Sequence, residues 1–222
     1  YGGEIRTPAL DALARDGIRF SQFYNTARCC PTRASLLTGL HPHQAGIGHM
    51  THQHGYMRDR PAAIPAAYQG WLNDRCVTIA EVLREAGYRN YMAGKWHVGT
   101  LDKTTWPLAR GFDRYYGIIN GASNYFHPSP GSHLTRDEET VEPEGGDYYS
   151  TDAFASNAIS FLDRHAREHA GQPFFLYLAF TCPHWPLQAW PEDIAKYRGA
   201  YSIGWDELRR RHPGLLIDNC AS

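Results

Sequence analysis

No long apolar run occurs in this chain. The longest strongly apolar stretch, Phe174 to Phe180, has seven residues, against the roughly 20 that a membrane-crossing helix needs. Charge of one sign is not in excess. The chain has 22 Lys and Arg against 23 Asp and Glu, a net charge of −1, so composition gives no ground for a nucleic-acid partner or an anionic membrane. A thiolate zinc site or a disulfide framework is also missing, because the five cysteines are odd in number and show no Cys-x-x-Cys spacing. There is no internal repeat. Within 222 residues, 42% are hydrophobic and 20% charged, the composition of an ordinary globular protein with room for one sizeable domain. No leader-type segment opens the chain. It starts at Tyr1, so the natural N-terminus is expected upstream, and the compartment stays open between the cytoplasm and the periplasm or exterior.

What is present centres on Cys29-Cys30-Pro31-Thr32-Arg33-Ala34-Ser35-Leu36-Leu37-Thr38-Gly39. A cysteine stands two residues before a proline and four before an arginine. Pro31 suits the first turn of a helix, where its missing N–H would have no partner anyway. A helix N-terminus favours anions, and the Arg33 guanidinium matches an oxyanion. A helix is expected from about Arg33 to Thr38, stopping at Gly39. A nucleophile, an anion cradle and a cation thus fall within five residues.

Around this stretch the pattern alternates helix and strand. Thr7 and Pro8 open a helix with a Leu10, Leu13, Ala14 stripe that ends at Gly17. Ile18 to Tyr24 reads as a short strand leading into the reactive turn. His41 to Gln69 reads as a long loop with His41, His43, His49, His52 and His54. Five histidines raise the question of a metal, but no carboxylate or cysteine has a helpful spacing, and a polar loop is the simpler reading. Thr78-x-x-Glu81 is a capping box, followed by an Ile79, Val82, Leu83, Ala86 face and the stop at Gly87. Asp152 is expected to cap a helix with Ala155, Ala158, Ile159 and Leu162 on its apolar face. Phe174 to Phe180 reads as a central strand buried on both faces. Asp193 to Arg211 reads as helical, with Arg209-Arg210-Arg211 a solvated end.

A second informative stretch follows the strand Tyr88 to Ala93. Gly94-Lys95-Trp96-His97-Val98-Gly99 places a lysine and a histidine on one side of an extended segment. Such a pair at a strand end can bind an oxyanion and move a proton. Taken alone, it also fits a charged loop. The acidic stretch Asp137 to Asp147 reads as solvated, since it lacks the alternating ligands of a calcium loop.

These residues also carry a resemblance. Cys29-x-Pro31-x-Arg33 with Leu37-Thr38-Gly39, then Gly94-Lys95-Trp96-His97-x-Gly99, then Gly111-Phe112-Asp113 and Pro183-His184-x-Pro186, resemble the ordered signatures of type I sulfatases, in the alkaline-phosphatase-like superfamily. Thr32 departs mildly from the small residue usual at that place. The resemblance runs from Tyr1 to about Arg211. It implies an α/β fold with a mixed, mostly parallel central sheet flanked by helices, incomplete at both ends. The chain is expected to be part of a catalytic domain spanning 1–222.

For chemistry, the resemblance implies that Cys29 becomes Cα-formylglycine through a maturation enzyme. The hydrated aldehyde attacks sulfur and later releases sulfate, which a serine could not do. Arg33 holds the hydrate, Lys95 and His184 bind sulfate oxygens, and His97 takes a proton during release. It also implies a divalent cation, usually calcium, touched by modified Cys29, with its other ligands outside this chain. Asp218-Asn219 tempts as part of that ligand set, but its surroundings do not match. The implied substrate is an aryl or carbohydrate sulfate ester, with Tyr125, Phe126 and Trp185 as candidate ring contacts. Three other readings stand beside it. They are a phosphate or phosphonate ester hydrolase of the same superfamily, an inactive truncated chain or pseudoenzyme, and a cysteine hydrolase with a Cys29–His97 dyad.

Overall fold

A computed structural model describes residues 5–51, 64–143 and 145–211. The elements in chain order are helices α1 (Pro8–Asp16), α2 (Cys29–Thr38) and α3 (Ile79–Glu85), strands β1 (Arg89–Gly94), β2 (Arg114–Ile118), β3 (Leu134–Arg136) and β4 (Glu139–Thr140), helix α4 (Ser150–Glu168), strand β5 (Phe174–Ala179), and helices α5 (Pro191–Lys196) and α6 (Trp205–Arg211). The described residues fall into two compact units. One is Thr26–Gln188; the other joins the residues up to Asn25 with those from Ala189 onward.

The Thr26–Gln188 unit is built on a mixed five-stranded sheet in the order β4-β3-β2-β1-β5. Strand β1 pairs parallel with β2 and with β5, whereas β2–β3 and β3–β4 are antiparallel. Side chains alternate faces with the two-residue period of a strand. Tyr91, Ala93, Tyr116 and Ile118 join one core with Phe154, Ala158 and Phe161 of α4. Met92 and Tyr115 join the other core, with Cys30, Ala34, Leu37 and Trp96.

Helix α4 buries Phe154, Ala158, Phe161 and His165. This corrects the face expected from Ala155, Ile159 and Leu162; Ile159 is 60% exposed. The two phenylalanines offer more apolar area than Ala155, and they meet Tyr116 and Tyr91 at ring distances of 6.2 and 5.9 Å. The helix starts at Ser150, so Asp152 sits in the first turn, where it favours the helix dipole instead of capping.

Strand β5 also differs from expectation. It forms one edge of the described sheet, and Phe174 and Leu178 are 47% and 38% exposed. An apolar run gives high strand propensity but does not fix which strands will flank it. Asp137 is not simply solvated. Its carboxylate accepts from Arg114 Nε at 3.1 and 3.0 Å and from the Tyr115 N–H at 2.9 Å, closing the β3–β4 turn.

The capping box at α3 is present: Thr78 Oγ1 accepts from Glu81 N–H at 3.1 Å, and Glu81 Oε2 accepts from Thr78 N–H at 2.6 Å. The buried face differs from the expected one, because Ile79 and Val82 are 42% and 55% exposed while Ala80 is buried. Small size explains the choice. Asn90 Nδ2 donates to the Ala80 carbonyl at 2.8 Å. Gly111, at φ +97°, lies so close that an added Cβ would stand 2.7 Å from the Ala80 carbonyl carbon. Thr78 Oγ1 also donates to the Arg110 carbonyl at 2.8 Å. Thr78→Ala is therefore expected to lower stability by about 1–2 kcal/mol, read as a lower urea midpoint at unchanged m-value.

In the other unit, α1 buries none of its residues. Leu10, Leu13 and Ala14 line a shallow apolar pocket with Ile18, Phe20 and Phe23. The expected strand at Ile18–Tyr24 is absent; Ile18 and Tyr24 are 85% and 83% exposed. Its alternation has no paired strand among the described residues, and pairing is what makes a strand. The expected long helix near the C-terminus is two short ones, α5 and α6. In α6, Glu207 accepts from Arg210 and Arg211, the solvated end foreseen. No described helix is long and apolar enough to cross a membrane.

Candidate active site

Helix α2 begins at Cys29, earlier than expected, so the cysteine lies in the first helical turn rather than in a turn before it. Pro31 follows within that turn. Gly39 ends the helix in the left-handed conformation, φ 70°, with its N–H donating to the Ser35 carbonyl at 2.8 Å. Cys29, Cys30, Ala34 and Leu37 are buried, which seats the reactive turn in the core.

After Gly94, the last residue of β1, the stretch Lys95–Gly99 is a loop, yet every residue from Gly94 to Gly99 is buried. Buried loops are rare because their backbone groups lack water. Here the Lys95 N–H donates to Ala179 O at 2.8 Å, the Trp96 N–H to Ile118 O at 3.0 Å and the His97 N–H to Ile119 O at 3.0 Å. The loop thus runs between the ends of β5 and β2 as a continuation of the sheet. Gly94 is required: at φ +118°, a side chain there would collide with the Ala179 carbonyl. His97 is left-handed at φ 59°, which corrects the expected extended segment. A left-handed non-glycine residue carries backbone strain that its surroundings must hold.

In this backbone conformation the His97 ring lies beside the cysteines. Cys30 Sγ lies 3.3 Å from His97 Nε2, and the two residues are 67 apart in sequence. Met50 Sδ lies 3.7 Å from Cys29 Sγ and 3.8 Å from Cys30 Sγ. Arg33 Nη1 donates to the Lys95 carbonyl at 2.8 Å and to the Tyr177 hydroxyl at 3.3 Å, tying α2 to the loop and to β5. The Tyr115 hydroxyl donates to the Gly94 carbonyl at 2.9 Å. Cys29, Arg33, Lys95 and His97 therefore gather at one end of the sheet.

The electrostatics follow from this crowding. A hydrogen bond from the Cys30 thiol, aided by His97 and by the Lys95 charge, holds the Cys29 thiol far below the ordinary range, against the opposing effect of burial. The same bond and burial push Cys30 up, so one thiol ionises and its neighbour stays protonated. Burial, and then the Arg33 charge, lower Lys95 to about 8. Burial lowers His97, leaving its ring neutral at pH 7 and able to accept a proton.

His184 stands in the loop after β5. Its N–H donates to Thr181 O at 3.1 Å, its ring Nδ1 meets the Trp185 carbonyl, and its own carbonyl accepts from the Tyr125 hydroxyl at 2.8 Å. None of these partners belongs to the cysteine cluster. Tyr125 is 1% exposed and Phe126 packs at a tilt against Tyr149, 4.9 Å between ring centres, so both brace loops, while Trp185 is 76% exposed.

Several contributors escaped the sequence reading, namely Cys30, Met50, Tyr177 and Gly121. A Cβ on Gly121 would stand 2.5 Å from His97 Nε2, so this glycine makes the space the imidazole occupies. No local signal marks it. Gly121→Ala is expected to displace the His97 ring and shift its imidazole NMR signals. Gly131→Ala, whose added carbon meets nothing within 4 Å, is expected to leave them in place.

Among the described residues, the one group of three or more close metal-ligating side chains is Cys29, Cys30 and His97. It contains sulfur and nitrogen but no carboxylate. His41 and His43 stack on each other at 4.9 Å and share an Nδ1–Nδ1 hydrogen bond of 3.1 Å, and His43 packs edge-on against Tyr68. His52, His54 and Asp218-Asn219 lie outside the described residues. A hard cation such as Ca²⁺ takes six to eight oxygen ligands, and the donors gathered here do not fit one.

Comparison with known proteins gives a consistent result. The chain matches the family described as Sulfatase over residues 1–218. It is 38% identical to an uncharacterised sulfatase of Schizosaccharomyces pombe, covering 99% of this chain and 42% of that protein. It is 37% identical to an arylsulfatase of Klebsiella aerogenes, covering 97% of this chain and 46% of that one. A solved structure described as bound to its substrate, D-glucosamine-2-N,6-O-disulfate, superposes with a TM-score of 0.64 at 27% identity, covering 87% of this chain and 33% of that one. The chain thus spans less than half the length of these relatives.

Proposed function

The chain belongs to the Sulfatase family, and from that membership we propose that the protein carrying it is a sulfuric ester hydrolase whose nucleophile is formylglycine made from Cys29. One observation carries the reading: the Cys29 turn, Lys95 and His97, far apart in sequence, meet in a buried site at one sheet end. The modified residue, when present, supplies an oxygen nucleophile that can also expel the bound sulfate.

The chain's own residues then divide the remaining work. Lys95, a buried cation, offsets the charge of the sulfate oxygens where little water screens it. Arg33 is a positioning residue, because its guanidinium fixes the Lys95 backbone to α2 and β5. His97, neutral at pH 7, accepts a proton at Nε2 on the side of the nucleophile. Gly121 and the sheet-end hydrogen bonds hold that ring in place. His184, in the loop beyond β5, is assigned to the leaving-group side, with exposed Trp185 beside it as a ring contact for an aryl or sugar group. The family pairs formylglycine with a divalent cation, calcium in this reading. The described residues do not furnish its carboxylate ligands.

The substrate is taken to be an aryl or carbohydrate sulfate, as the named relatives suggest. The test has two parts, made on full-length protein co-expressed with a formylglycine-generating enzyme. Peptide mass spectrometry across Asn25–Arg33 is expected to show a loss of about 18 Da at Cys29. Paired assays on an aryl sulfate and the matching aryl phosphate are expected to favour sulfate. An unmodified Cys29 in an active enzyme would move the reading to thiol chemistry, and a phosphate preference would move it to phosphoester hydrolysis.

A further inference from the structure

We propose that the form of this protein in which Cys29 is still a thiol binds a monovalent copper ion through Cys29 Sγ, Cys30 Sγ, Met50 Sδ and His97 Nε2. The inference does not depend on the sulfate-ester reading, because it concerns the unmodified chain and needs no turnover.

Geometry is the first argument. Met50 Sδ is 3.7 and 3.8 Å from the two thiol sulfurs, and Cys30 Sγ is 3.3 Å from His97 Nε2. The Cys29, Cys30 and His97 donor atoms all lie within 4.8 Å of one another. In a tetrahedral site with metal–sulfur bonds of about 2.3 Å, neighbouring sulfurs stand about 3.8 Å apart. The ligands are close to that spacing already. They are also held there: the cysteines by the first turn of α2, and His97 by its sheet-end N–H bond and the space at Gly121.

Donor chemistry is the second. Two thiols, a thioether and an imidazole form a soft set, and thioether with thiolate selects Cu(I) over harder ions. Charge points the same way. Two thiolates with Cu(I) leave one net negative charge, which the neighbouring Lys95 ammonium can balance; with Zn²⁺ the site would be neutral beside that cation. Cys29, Cys30 and His97 are 5%, 0% and 3% exposed, so bulk water does not compete for the ion. On binding, the Cys30 thiol proton passes to solvent, Cys29 being already ionised, and four donor bonds form, with no change in oxidation state.

The test uses full-length protein expressed without the maturation enzyme and kept reduced. Cu(I) affinity is measured anaerobically by competition with a chromophoric Cu(I) chelator. One tightly held ion per chain is expected. Met50→Leu, which conserves volume, is expected to weaken binding about tenfold, and Cys29→Ser or Cys30→Ser by more than a hundredfold. Cys182→Ser, outside the cluster, is expected to leave affinity unchanged. Near-ultraviolet circular dichroism checks that each variant is folded. Absence of stoichiometric binding, or affinity indifferent to both Met50→Leu and Cys30→Ser in folded variants, overturns the proposal. So does tighter binding of Zn²⁺ than of Cu(I) in parallel competition.

Discussion

Cys29→Ser is expected to lower sulfate-ester turnover by about a thousandfold or more, to a level near that of Cys29→Ala. A serine hydroxyl could accept the sulfo group once, but it has no second oxygen on the same carbon with which to expel it. Its ordinary alcohol also gains nothing from a site that favours an ionised sulfur at this position. The measurement is steady-state hydrolysis of an aryl sulfate by the full-length protein, with a single-turnover trace beside it. A stoichiometric burst followed by arrest in Cys29→Ser, and none in Cys29→Ala, is the expected signature. Sustained turnover by the serine variant would remove the reason for a modified residue and overturn the mechanism. The contrast with Lys95 is informative. Lys95→Ala removes charge stabilisation rather than the reacting atom, so the loss expected is smaller, about 10²- to 10³-fold.

Arg110→Ala is expected to cause the largest loss of stability in the Thr26–Gln188 unit, about 3 kcal/mol. The guanidinium is buried, and each of its three nitrogens donates a hydrogen bond. Nη1 donates to Leu72 O at 2.8 Å, Nη2 to Cys76 O at 2.9 Å, and Nε and Nη2 each reach a Glu81 carboxylate oxygen at 3.3 Å. Its removal leaves two carbonyls without their donor and strips Glu81 of its counter-charge. Breaking a buried pair typically costs about 3–5 kcal/mol; the Glu81 side chain is 30% exposed, which places the expectation at the lower end. Against a domain stability of about 5–15 kcal/mol this is a large fraction. Urea unfolding checks it. Arg110→Lys is expected to recover only part of the loss, since one ammonium cannot reproduce the fork. A midpoint unchanged in Arg110→Ala would show that the network does not hold α3 to its neighbours.

Legibility differed among the elements for physical reasons. The capping box at Thr78 and Glu81 was readable because both partners lie within one turn. The β1 strand was readable because the short segment Tyr88–Ala93 is bounded by Gly87 and Gly94, two turn signals. The buried faces of α3 and α4 differ from the expected ones, because spacing along one helix does not say which stripe will meet a partner. The choice depended on aromatic partners at Tyr91 and Tyr116 and on the close approach of Gly111. Ile18–Tyr24 has strand propensity without a strand to pair with, and propensity alone does not order a backbone.

The sequence by itself determined which residues are candidates for the chemistry and their order: Cys29, Arg33, Lys95, His97 and His184, each marked by a short local pattern with glycine or proline nearby. Local patterns survive in sequence because turns and helix starts are set by neighbouring residues. Only the tertiary structure decided which of them meet. It joined Cys29, Arg33, Lys95 and His97 and gave His184 separate partners. It brought in Cys30, Met50 and Gly121, and it set which thiol is ionised. Those outcomes depend on burial and on distances of a few ångströms between residues more than sixty positions apart, and Coulomb and desolvation energies are functions of that geometry, not of sequence spacing.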